Sequence, residues 1–404
     1  MRHLRTFHRA TGSLRSRSNN AEKTQLLHPE KGLRSVPAIF ARGGTSNGLI
    51  FWKHHLPPLS EWHKILPAAM GSPDSYGRQL DGMGSGISST SKICVLERCS
   101  NPDIADVEFT FVQIGVRDGS IDMAGNCGNM LSIVGPVSFD DSHFERRVIE
   151  ENPETGERTG VVRILNTNTS KVIVSRFRVT GSPSRYSPEG NYEMDGVPGR
   201  NSRIALSFLK PGGAKTGRTL PTGNPIDTLS LPDGTAIEAS LVDVSNPGVF
   251  VRISDLGIQN PESLDPARVE ADAALKARLE HIRQAGAAMM GLDPNTQSVP
   301  KIVLIFPSEI AQQTPGVNIK CQALSMQQAH KAVPLTLGLC LGAAAKLPGT
   351  IPNQLAVSAG ERDTIVIGHP GGKLDVGTTV ENGEVLSAEL YRTARVLMKG
   401  EMYY

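Results

Sequence analysis

The chain has 404 residues, of which 39% are hydrophobic and 20% charged, with a formal charge of +2. That length suits two domains rather than one small core, and the composition is ordinary for a globular protein. Near-neutral charge gives no reason to expect nucleic acid or an anionic membrane as partner, and no apolar run approaches the roughly 20 residues that span a bilayer.

Residues 1–35 stand apart. Arg2, Arg5, Arg9, Arg15 and Arg17 precede the first acidic residue, Glu22, with Leu4, Phe7 and Leu14 spaced among them. Such a leader is similar to a mitochondrial transit peptide; a basic tail with no address is the other reading. The five cysteines, at 94, 99, 127, 321 and 340, are odd in number and form no C-x-x-C. Neither a disulfide framework nor a zinc site is expected, and an intracellular place, mitochondrial or cytoplasmic, is the simplest expectation.

The chain's 41 glycines and 27 prolines, nearly all after Val36, indicate short strands and many turns. Ala41-Arg-Gly-Gly-Thr-Ser-Asn-Gly48 is a tight turn whose Arg42 faces either solvent or an anion. Met70-Gly-Ser-Pro-Asp74 opens a loop, and a mostly small or polar run from Asp81 leads into Lys92 at the head of an apolar, strand-like stretch. A lysine there projects into a cleft, where burial would make it a base, or into solvent after a flexible loop. The segment lacks both G-x-x-x-x-G-K-[ST] and G-x-G-x-x-G, so a nucleotide site is not expected. Val107 to Val116 alternates as a strand.

Asp122-Met-Ala-Gly-Asn-Cys127-Gly-Asn129 then precedes the apolar run Met130 to Val134. A thiol sits between two Gly-Asn pairs where a helix begins. Unpaired N–H groups at a helix start bind anions, and the same positive end makes a thiol more acidic. The alternative is a buried cysteine in a turn. The helix is expected to be the buried centre of the first half.

Strands are expected at Val161 to Leu165, Val172 to Val179, Tyr192 to Gly196 and Arg203 to Leu209. Pro, Gly and Thr crowd Lys210 to Pro225, which places a boundary between a domain at 36–215 and one at 216–404, with Asn224 a candidate for the cleft. Ala236 to Val244, Val249 to Ile253 and Pro300 to Phe306 read as strands. Glu270 to Met290 reads as one helix, from Leu275, Leu279, Ile282 and Ala285 at helical spacing. Gln328 to Leu347 reads as a second buried helix, with Pro334 in its first turn. His330 would stand at its start as the counterpart of Cys127, or as a histidine bonded to a loop.

These segments together resemble one family. The stretches at 41–48, 70–74, 88–92 and 125–129, with Pro221-Thr-Gly-Asn224, Ala323-Leu-Ser-Met326, Gly368-His-Pro-Gly-Gly372 and Ala394-Arg-Val-Leu-Met398, are similar to the PrpF family. That family contains 2-methylaconitate, methylitaconate and aconitate isomerases and oxalomesaconate tautomerases. The resemblance implies an α+β fold of two pseudo-symmetric, diaminopimelate-epimerase-like domains, each a β-rich, barrel-like sheet around a central helix, with the site in the cleft between them. It implies that Lys92 and Cys127 flank the substrate carbons, with Ser91 beside the lysine, and that Arg42, Thr45 and Ser46 line a carboxylate site. Where the family reads R-G-G-T-S-K-G, this chain has Asn47.

The chemistry of this fold moves a proton beside a carboxylate. It needs a positioned base and donors aimed at the developing charge. Gly125, Asn126, Gly128 and Asn129 are expected to supply one set of donors, and the turn carrying His369, Gly371 and Gly372 a second, with Asn224 and His330 also binding substrate. No metal or other cofactor is expected. The expected partner is a small di- or tricarboxylate, and a homodimer stays open. The specific expectation is an aconitate Δ-isomerase converting cis- to trans-aconitate, with 2-methylaconitate or methylitaconate isomerase as the alternative. A racemase of the same fold and a non-catalytic accessory protein are more distant readings.

Overall fold

The computed structural model describes residues 34–123, 127–141, 147–258, 260–357, 364–381 and 383–404. Strands dominate, and one continuous ribbon of them wraps two buried helices. The first half begins with the antiparallel pair Ser35–Gly43 and Ser46–Trp52. Ser46–Trp52 pairs in parallel with Lys92–Arg98, which turns back into Val107–Ile114. Arg158–Asn166, Lys171–Thr180 and Ile204–Leu209 extend the ribbon. It then crosses into the second half through the pairing of Ile204–Leu209 with Glu384–Arg392.

The second half continues through Gly372–Glu381, Thr364–His369, Ile319–Ser325, Lys301–Ile305, Asn246–Arg252 and Ala236–Val244. The far edge of the first half is closed by Ala394–Tyr403, which pairs antiparallel with Ser35–Gly43 over its length. Glu384–Tyr403 therefore serves both halves.

The helix of the first half is Gly128–Asp140, buried from Met130 to Phe139. That of the second is Leu335–Lys346, buried from Leu337 to Ala345. Apolarity on all sides is what a helix inside a β wrapping requires. The two helices share one core cluster, while Trp62–Met70 covers the outside of the first sheet and Ala273–Met289 that of the second. This is the mixed, two-halved α+β architecture expected from the sequence.

Two helices differ from expectation. The run from Glu270 to Met290 breaks at Asp272, which leaves Pro266–Ala271 behind and caps Ala273–Met289 through the N–H of Leu275. The second central helix starts at Leu335, not Gln328, and Pro334 is its cap rather than part of its first turn. Gln328–Ala329 instead forms a hairpin with Ile319–Ser325 through Met326 and Gln327, at φ 52° and 59°. Two successive left-handed residues suit a two-residue hairpin turn, and the ring of Pro334 disfavours helix at residue 333. His330 thus lies five residues before the helix, in the connection, and is not the counterpart of Cys127.

Candidate active site

Cys127 caps the first central helix in extended conformation, with φ −122° and ψ 98°. The β-hairpin before it is built to approach this helix start. A methyl on Gly43 would strike the Asn129 carbonyl, and one on Gly44, at φ 53°, would strike the Asn129 side chain. The two glycines of Arg42-Gly-Gly are thus required by close backbone approach. The Asn129 amide donates to Thr45 Oγ1 at 3.0 Å, and Ser46 is buried beneath.

Arg42 does not reach the cleft. Its Nη1 donates to the carbonyls of Gly44 and Thr393, at 2.9 and 3.0 Å, and to Thr393 Oγ1 at 3.1 Å. It fastens the hairpin to the junction of the last two strands, and burial pulls its pKa down.

A loop organised by Asp74 delivers Lys92. The Asp74 carboxylate accepts from the amides of Tyr76, Arg78 and Gln79, which lowers its pKa. Gln79 Oε1 then accepts from Ser91 Oγ at 2.7 Å, so the serine hydroxyl holds the loop and does not face substrate space. Lys92 heads its strand. Its ammonium donates to Gln113 Oε1 at 2.7 Å and stands 5.1 Å from the Phe111 ring centre. Lys92 and Cys127 both act on the buried thiol of Cys94, whose pKa is pushed well up mainly by burial.

A cavity of about 780 Å³ opens between the two helix starts. Cys127, Gly128 and Asn129 line it from the first half, and Pro334, Leu335 and Thr336 from the second. Lys301, Lys171, Lys215 and Asp122 also border it. Three lysines against one carboxylate make it a place for anions. Lys301 is the titratable group that sequence reasoning missed. Burial lowers its pKa to about 8, and Lys301 in turn helps burial to lower that of His330.

Of the expected site residues, the structure brings Cys127, Gly128 and Asn129 into the cavity. Gly125 and Asn126 lie outside the described residues. The donors expected from the second turn are engaged within the protein. Gly371 N donates to the Lys331 carbonyl at 2.6 Å and to His369 Nδ1 at 3.2 Å, while Gly372 packs on Asp195. Burial lowers the pKa of His369. Asn224 is likewise in use, its amide on Asp227 Oδ1 at 2.9 Å. His330 N donates to the Ala323 carbonyl, and its own carbonyl accepts from Gln322.

Arg392, at the end of its strand, was also missed. It is buried, its Nε has no hydrogen-bond partner among the described residues, and Cys127 is among the groups that raise its pKa against that burial. Burial takes its pKa down to about 10. Among the described residues no group of three or more His, Cys, Asp or Glu is arranged to hold a metal ion.

Residues 33–404 match the family described as PrpF protein. A 3-methylitaconate isomerase of Eubacterium barkeri is 35% identical over 91% of this chain and 97% of its own. A 2-methyl-aconitate isomerase of Shewanella oneidensis is 34% identical over 90% of this chain and 96% of its own. The crystal structure of a methylitaconate-delta-isomerase superposes with a TM-score of 0.80, at 34% identity, over 92% of this chain and 96% of that one.

Proposed function

We propose, for a chain that belongs to the PrpF family and is an isomerase, that its reaction is an allylic proton shift on an unsaturated di- or tricarboxylate. The observation that carries this reading is the lysine-bordered cavity between the two helix starts, with a thiol on its wall. The named activities of the relatives support methylitaconate or 2-methylaconitate as substrate more than the cis-aconitate first expected from the sequence.

A base removes a proton from the carbon beside one carboxylate. The charge spreads over three carbons and the carboxylates, and a proton returns at the other end, so the double bond moves with no net gain or loss of atoms. The first helix start offers the N–H groups of Gly128 and Asn129 to a carboxylate as it gains charge. Cys127, beside them, is placed to exchange a proton with a bound carbon. Lys92 is its partner in this reading, and it reaches the substrate by releasing Gln113. We assign Lys92, as its free amine, as base and Cys127 as the opposing acid; the proton gained by Lys92 leaves to solvent and the Cys127 thiolate takes one up before the next turnover.

Proton NMR in D₂O with methylitaconate, 2-methylaconitate and cis-aconitate tests the proposal. Deuterium entry with double-bond migration in one of them is expected. A purified, folded enzyme that leaves all three unlabelled would overturn it.

A further inference from the structure

The two halves repeat a local design that their sequences do not display. In the first, Lys92 heads a strand paired in parallel with Ser46–Trp52, and Gly48 stands opposite the lysine. A methyl on Gly48 would meet Met130, the third residue of the first central helix. In the second half, Lys301 heads a strand paired in parallel with Asn246–Arg252, and Gly248 stands opposite it. A methyl on Gly248 would meet Leu337, the third residue of the second central helix. Lys301 is therefore the structural counterpart of Lys92.

We infer that Lys301 holds a carboxylate of the substrate from the side opposite Cys127, and so decides how many carboxylates the site accepts. This rests on the polycarboxylate reading above and adds the group that discriminates within that class.

Three observations support it. Lys301 lines the same cavity as Cys127 and Asn129 but belongs to the other half, so a ligand anchored on the first helix start shares the cavity with it. Its ammonium donates to the Ser298 carbonyl at 2.8 Å, a neutral partner, and no described carboxylate offsets its burial. An ammonium has three donors, and burying one without a counterion is unfavourable. An incoming carboxylate removes that penalty and forms a charge-assisted hydrogen bond. Of the other cavity lysines, Lys215 is exposed, and Lys171 heads its strand as Lys301 does but lacks the parallel partner strand with a glycine opposite.

Binding of non-reacting saturated acids, read by titration calorimetry, separates this role from a structural one. Tricarballylate carries three carboxylates; glutarate and methylsuccinate each lack one of them. Lys301→Met should weaken tricarballylate about tenfold or more, as expected for a lost charged hydrogen bond. It should leave one of the two dicarboxylates within about twofold of wild type, because the partner carboxylate is already gone and the two losses do not add. Lys301→Arg should restore part of the tricarballylate affinity. Lys301→Met removes a partly buried charge that has only a carbonyl as partner, so it should melt no lower than wild type.

Equal losses on all three ligands, or no loss on tricarballylate, would overturn the inference while leaving the proposed function standing. A wild-type protein that binds none of the three and turns over no unsaturated acid would remove both.

Discussion

The two helix starts that border the cavity differ in chemistry. The first presents a thiol, a glycine and an asparagine, seated by glycines that let a hairpin press against it. The second is capped by Pro334, which has no N–H, and followed by Leu335, leaving Thr336 as its polar side chain there. The lysines behind them differ too: Lys92 is turned onto Gln113, whereas Lys301 borders the cavity. A pseudo-symmetric fold thus carries an asymmetric cavity, with a thiol and helix N–H groups from the first half and Lys301 from the second. A symmetric racemase would place matched acid–base groups on both, and among the described residues this cavity does not.

The sharpest way to break that division is kinetic. Lys92→Ala and Cys127→Ala should each lower turnover by at least about two orders of magnitude, the general acid–base range. Lys301→Met should mainly raise KM. Steady-state assays decide, and a Lys301→Met variant that loses turnover at unchanged KM would erase the distinction between the halves.

Stability sharpens it next. Gly43→Ala drives a methyl into the Asn129 carbonyl, a backbone atom that cannot give way without moving the helix start. A loss of about 2–3 kcal/mol and a fall in activity are expected in urea unfolding and turnover assays. In the second helix Gly342→Ala meets the Val376 side chain, which can shift, and it gains up to about 1 kcal/mol of helix propensity. Its cost should be clearly smaller; an equal or larger one would show that the two helix seats are equally rigid.

Protonation gives a third test. Lys301 titrates near 8, below its unfolded value, with His330 and, beside His330, Glu270 as neighbouring titratable groups. Between about pH 8 and pH 10 the unfolded chain binds the extra proton, so this group's contribution to stability rises with pH there. Anion affinity should move the other way, falling up to about tenfold from pH 7 to 9 as the ammonium is lost. Lys301→Arg should flatten that fall in calorimetric titrations; an unchanged slope would assign it to another group.

The smallest expected effect is at the thiols. Cys94, Cys321 and Cys340 are buried, with pKa values pushed up by burial, while Cys127 is half-exposed on the cavity wall. Brief iodoacetamide treatment read by mass spectrometry should label Cys127 ahead of those three, and tricarballylate should slow it several-fold. Labelling of the buried cysteines first, without protection by ligand, would return Cys127 to the role of an ordinary packed thiol.

What could be read in the chain before folding was local. The helix start at Cys127, the apolar runs and the alternating strands are set by neighbours, and they formed near where their patterns lie. The start of the second helix was misplaced because 328–333 has acceptable helix composition, while its pairing with Ile319–Ser325 is a tertiary choice. Arg42 looked like an anion ligand because its partner, Thr393, is 351 positions away and invisible locally. Lys301 could have been noticed: like Lys92 it heads an apolar strand after a polar loop. What marks it as important, a glycine opposite and a helix start behind, exists only in the folded register.

That long separation also has a meaning in time. The hairpin beside Cys127 leaves the ribosome early, yet the strand that closes its outer edge and the threonine that fixes Arg42 emerge some 350 residues later. Until then Ser35–Gly43 carries a row of unpaired amides and carbonyls, the kind of edge that invites wrong partners. The hairpin beside Cys127 is therefore made well before the strand that locks it, so a nascent chain interrupted before residue 393 is left with a first half that is open and a hairpin that is unfastened.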